Sequence, residues 1–178
     1  MARVMPNVRS YMKLLAVLGL ASLILAPAMA QDTSNPSGLP LPRFVSLKSD
    51  RVNVRVGPSR DHDIAWTFVR SGLPVEIIQE FENWRHIRDW EGKQGWVFHS
   101  LLSGRRTALV TPWERNDRTP LRARSRSDAD IVAELEPFVL ASISGCVGGW
   151  CRVNGENFDG WLDQTRLFGV YPDELIEE

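Results

Sequence analysis

Little in this sequence suits metal or proton chemistry. Its three histidines are His62, His86 and His99. In Asp61-His62-Asp63 the three side chains would alternate in direction along an extended chain, which makes a solvated turn and not a ligand set. No second ligand stands at a fixed spacing from any histidine, so no metal and no cofactor is expected. The carboxylates are scattered, with no pair held so as to separate two pKa values. There is no G-x-S-x-G elbow and no phosphate-cradling glycine loop. No catalytic residue is assigned, and the chain reads as a non-enzyme.

Two cysteines are too few for a disulfide-rich scaffold. Charge of one sign is also missing, with 21 Lys and Arg against 22 Asp and Glu. Nucleic-acid binding needs a basic patch to displace counterions, so that partner is excluded. Helical periodicity over ten or more residues is absent beyond the first thirty residues.

Those thirty residues read as an export signal. Arg3, Arg9 and Lys13 precede an apolar run from Leu14 to Ala26, and Ala28-Met29-Ala30 has the small-x-small form of a cleavage site. Cleavage is expected after Ala30, with an uncleaved anchor as the alternative; the membrane enters only through this signal. Removal takes three basic residues and leaves 18 basic against 22 acidic. Residues 31–42, rich in Ser, Pro and Gly, are expected to be a disordered lead-in. The expected location is periplasmic or secreted.

The rest of the chain repeats itself. Val54-Arg55, Asp61 and Ile64 match Leu121-Arg122, Asp128 and Ile131 at a spacing of 67. Trp84 and Ile87 match Trp150 and Val153 at 66, and Gly95-Trp96 and Leu102 match Gly160-Trp161 and Leu167 at 65. Short turn deletions between strands would produce that drift. Two units are expected, over 43–104 and 107–170, with an acidic tail over 171–178. Within a unit, Val52, Val54 and Val56 alternate with Arg51, Asn53 and Arg55, the period of a half-buried strand. Five short strands in about sixty residues suit a small barrel, whose closure removes exposed edges. Trp84 and Ile87 are three apart, so either a bulge intervenes or the Trp lies on the outer face while the aliphatic residue fills the core.

The segment Arg51-Val52-Asn53-Val54-Arg55-Val56-Gly57-Pro58-Ser59 resembles the opening strand and turn of bacterial SH3 domains. Trp84-x-x-Ile87 with Gly95-Trp96-Val97 after it resembles their closing hairpin. The second unit keeps Leu121-Arg122, Trp150-x-x-Val153 and Gly160-Trp161-Leu162, but has Ser125-Arg126-Ser127 where the first has Gly-Pro. The resemblance implies an all-β chain of two tandem SH3-like barrels behind a signal peptide. It also implies a binding module for a cell-wall peptide or glycan, such as peptidoglycan, or else a scaffold for an envelope protein, one that could serve a separate wall enzyme.

Seven tryptophans remain to be placed. Trp96 and Trp161, which come directly after turn glycines, are expected in core and hairpin packing. Trp84, Trp90 and Trp150 flank the predicted hairpins and, with Arg88 and Asp89, form the candidate ligand groove. Cys146 and Cys151 stand at the ends of Val147-Gly148-Gly149-Trp150, a hairpin loop, and are expected to form a disulfide after export. Arg122, Arg124 and Arg126 would share a face if their strand stays regular.

Overall fold

The computed structural model describes residues 35–177. The expected export signal, and with it the expected cleavage site, lies outside the described residues. Two seven-stranded antiparallel sheets are arranged in tandem along the chain. The first is built from β1 (Arg43–Leu47), β2 (Val52–Arg55), β3 (Ile64–Phe68), β4 (Pro74–Phe81), β5 (Trp84–Arg88), β6 (Gln94–Phe98) and β7 (Leu102–Ser103). The second uses β8 (Thr107–Val110), β9 (Thr119–Arg122), β10 (Ile131–Leu135), β11 (Leu140–Val147), β12 (Trp150–Asn154), β13 (Asp159–Asp163) and β14 (Leu167–Phe168). Strand order is β3-β2-β6-β5-β4-β1-β7 in one and β10-β9-β13-β12-β11-β8-β14 in the other, the same path twice.

Alternation accounts for the strands. Val52 and Val54 on β2 are fully buried, while Asn53 between them and Arg55 after them are not. On β6, Gly95 and Val97 face inward and Trp96 outward. A side chain at Gly95 would collide with Val54 and the backbone of Arg55, so the close approach of β2 and β6 requires glycine there. The inner cluster of the first barrel is aliphatic: Val52, Val54, Val75, Ile77, Ile87 and Val97. Its counterpart in the second includes Leu121, Val153, Leu162 and Leu167.

Both long hairpins carry one extra residue at the same place. The register shifts between Ile77 and Gln79 on β4, and between Ile143 and Gly145 on β11. Such a bulge bends the strand and re-aims the side chains on its far side. There Glu80 faces Arg85 and Cys146 faces Cys151. The cysteines form a disulfide at the base of a two-residue turn whose Gly148 and Gly149 both have positive φ, the backbone that tight hairpins demand.

The two barrels share packing. Leu109 of β8, almost wholly buried, belongs to the core of the first barrel, and Leu140 and Phe168 pack against that core. Phe44 meets the Phe168 ring edge-on at 5.2 Å and Tyr171 at 4.8 Å. Ser46 Oγ and Thr107 Oγ1 lie 2.7 Å apart, and Thr107 Oγ1 donates to the Gly72 carbonyl at 2.6 Å.

Both ends of the described segment are tied down, including the part of the lead-in expected to be disordered. From Asn35 on, the lead-in docks on the first barrel: Ser37 donates its N–H and its hydroxyl to Glu80 at 2.9 and 2.7 Å. The Glu80 carboxylate, out of solvent, recruits donors that a disordered segment would have left in water. The tail straps the second barrel, with Ile176 and Cys146 exchanging backbone bonds of 2.8 and 3.1 Å. Arg106 holds Glu174 through two bonds of 2.7 and 2.9 Å.

Candidate functional site

The β5–β6 loop, Asp89 to Lys93, builds the most aromatic cleft. Asp89 is 5 % exposed and its Oδ1 accepts from the Glu91 and Lys93 backbone N–H groups, each at 2.9 Å. Burial pushes the Asp89 carboxyl above its ordinary value, and those two hydrogen bonds only partly oppose it. With the loop pinned, Trp90 packs on Phe68 at 6.0 Å, and Phe68 on Trp66 at 6.0 Å edge-on. Trp66 and Phe68 are two apart on β3, which puts both rings on one face. The cleft is about 410 Å³, lined by these three rings with Ala65, Asp89, Glu91 and Lys93. Glu91 and Lys93 pair at 2.6 Å on its exposed rim.

Two features mark this cleft. The indole N–H groups of Trp66 and Trp90 are both buried without an acceptor; an orphaned donor of this kind costs about 1–3 kcal/mol. In addition, Phe138 of the second barrel reaches Trp90, its ring 6.4 Å away and edge-on. Phe138 has φ of 63° and is 38 % exposed, a strained backbone for a bulky residue. It also lines a neighbouring groove of about 470 Å³ with Arg115, Asn116, Arg118, Glu136 and Pro137. An aromatic surface with a charged rim therefore runs from the first barrel onto the second.

The geometry suits holding a ligand. Among the described residues no group of three His, Cys, Asp or Glu side chains is placed to hold a metal ion.

A model of the bacterial SH3 domain matches the sequence twice, at residues 48–104 and 115–169. The chain belongs to the bacterial SH3 domain family. No curated protein matches it. Among solved structures it is similar to NlpC1 and NlpC2 from Trichomonas vaginalis, at 12 % identity to each and TM-scores of 0.33 and 0.32. The matches cover 72 % and 71 % of this chain but 46 % and 48 % of those proteins, so it spans about half their length.

Within the SH3 pair the predicted site residues separate. Asp89 and Trp90 lie together in the aromatic cleft. Arg88 does not join them: it bonds Glu76 through Nε and Nη2 at 2.8 and 2.5 Å, and Glu76 also accepts from Tyr171 at 2.9 Å. That carboxylate draws Arg88 into the contact between the barrels. Trp84 is on the outer face of its hairpin, the second of the two arrangements its spacing allowed, yet it is only 8 % exposed. Phe98 on β6 stands opposite it and covers it edge-on at 5.4 Å, so Trp84 stands apart from the Asp89–Trp90 cleft and lines a separate groove beside Phe98. Trp150 is half-buried beside Val147 and Asp163, and lines none of these clefts.

Trp96 and Trp161, expected in core and hairpin packing, lie outside the two core clusters. Trp96 and Trp161 each sit between two inward residues, Gly95 and Val97 or Gly160 and Leu162. They therefore face outward and are half-buried: Trp96 stacks on His86 at 4.7 Å, and Trp161 lines a small apolar cleft with Val147, Leu175 and Ile176. Arg122, Arg124 and Arg126 share no strand face, because β9 ends at Arg122. For Trp66 and Phe68 the sequence carries a usable signal, their spacing of two on a β-rich run. Phe138 had none, since only packing between the units brings it to Trp90.

Proposed function

We propose that this chain is an exported, non-catalytic binding module of the cell envelope that takes peptidoglycan, through its stem peptide or the adjoining sugar, in the Trp66–Phe68–Trp90 cleft. Membership of the bacterial SH3 family supports a wall ligand, as relatives in that family bind wall peptides and polymers. The carrying observation is a cleft of three rings, Trp66, Phe68 and Trp90, whose loop is pinned by the buried Asp89. The rings would cover the apolar parts of a sugar or peptide. Glu91 and Lys93 at the rim would meet the charged ends of a peptide.

The test is co-sedimentation of residues 31–178 with insoluble peptidoglycan. Wild-type protein should pellet, and Trp66→Ala and Trp90→Ala should not, with thermal unfolding to show that each variant folds. Protein that stays in the supernatant at high sacculus concentration would end the wall reading. A second reading, docking to another envelope protein, is favoured by the apolar cleft of about 320 Å³ at Trp161, Val147, Leu175 and Ile176. Under that reading Val147→Asp would abolish partner capture and leave pelleting untouched.

A further inference from the structure

Strand β2 carries a second unusual face. Period two sends Val52 and Val54 into the core and places Arg51, Asn53 and Arg55 together on the other side. Arg60, from the loop after β2, holds its guanidinium 5.7 Å from the centre of the Phe98 ring. With Trp84, Phe98, Ser100 and Leu101 these residues line a groove of about 480 Å³. Three guanidinium groups thus border one groove, and no carboxylate lines it. Arg55 donates to the His62 carbonyl at 2.5 Å; none of the three arginines has an ion pair among the described residues. This stands on a chain whose formal net charge is −1, so the positive field is local.

We propose that this groove is a second ligand site, distinct from the aromatic cleft, for an anionic saccharide: a sugar bearing phosphate or carboxylate. Guanidinium forks match the oxygens of either anion, bidentately where the geometry allows. Without an anion the three like charges repel one another, and a bound anion relieves that repulsion. Asn53 and Ser100 are polar groups of the kind that read hydroxyls. Phe98, backed by the buried Trp84, offers a flat apolar wall for the ring. The second barrel lacks the site. Its Arg118 is paired with Glu136 at 2.9 Å. Asp163 stands at the place of Phe98, each five residues before its closing strand ends, and its carboxylate caps Thr165.

The test is calorimetric titration of the purified protein with glucose 6-phosphate, glucuronate and glucose at low ionic strength. Both anionic sugars should bind about tenfold or more tightly than glucose, and the gap should narrow with added salt. Arg51→Gln with Arg60→Gln should cut the affinity for the anionic sugars about tenfold, while Arg122→Gln in the second barrel leaves it unchanged. Neither Arg51 nor Arg60 donates a described hydrogen bond to the fold, and Arg60→Gln alone serves if the double variant is unstable. Failure of both anionic sugars to bind, equal binding of glucose, or wild-type affinity in the folded Arg51/Arg60 variants would each overturn the proposal. Because the aromatic cleft is untouched by these variants, peptidoglycan pelleting reports on that cleft separately.

Discussion

Glu80 and Arg85 face each other across the β4–β5 hairpin at the register position that Cys146 and Cys151 hold across β11–β12. Each pair lies 66 residues from the other, just past an equivalent bulge. One copy fastens this point with an ion pair of 3.1 Å whose side chains are 0 % and 10 % exposed, the other with a covalent bond. If the positions are equivalent, the fastenings are exchangeable. Glu80→Cys with Arg85→Cys should form a second disulfide on oxidative refolding, measured as no free thiol in the denatured protein; two free thiols would show that the backbones differ.

The native disulfide closes a very short loop, with a sequence separation of 5. Chain-entropy reasoning for so short a loop gives about 2 kcal/mol. Cys146→Ala with Cys151→Ala should therefore lower the urea unfolding free energy by about that amount. The loss should be modest partly because the Ile176 backbone bonds keep β11 in place.

Acid should loosen the ends first. Burial tends to raise the pKa of Glu80, but hydrogen bonds from Arg43 and Ser37 and the charge of Arg85 outweigh it and hold the carboxyl below its ordinary value. Glu174 behaves likewise, burial being outweighed by Arg106 and the Tyr171 N–H. A group depressed in the folded state stabilises fully above its unfolded pKa, and that contribution fades as pH falls through the folded one. Asp89, raised by burial, has the opposite sign and gains nothing from ionising. Urea midpoints should hold steady near neutrality and fall below about pH 4.5, and Glu80→Gln should flatten that fall. An unchanged acid slope in the variant would assign it to other carboxylates.

Leu109 should behave as a residue of both barrels. It is carried by the first strand of the second unit and buried in the core of the first. Leu109→Ala should cost about 2–5 kcal/mol and shift one common unfolding transition, read both by tryptophan fluorescence and by circular dichroism. Two separated transitions in the wild type would contradict the shared core.

Much of this architecture could be read from spacing alone. The drift from 67 to 66 to 65 recurs in the strand starts: Val52 and Thr119, Pro74 and Leu140, Gln94 and Asp159. The first step falls in the loop between β3 and β4 and its counterpart, the second between β5 and β6. Valine alternation on β2 located the core because burial and side-chain period are the same signal there. The site was harder. Inward glycine and valine forced Trp96 outward, a consequence of alternation once the inward face is known. The fate of Trp84 depended on Phe98 across the hairpin, and that of Arg88 on Glu76 and the distant Tyr171. Such partners are set by register and by packing between units, neither of which local pattern contains.

The junction between the copies is only Gly104 to Arg106, and beyond it Leu109 is already locked into the neighbouring core. A flexible tether lets two sites search for any pair of targets within reach. Here the distance and angle between the surfaces of the two copies are fixed as firmly as those within a single domain. The molecule would therefore act as a gauge, engaging both surfaces only where a lattice or partner repeats at one spacing, and lengthening the junction would change selectivity before it changed affinity at either surface.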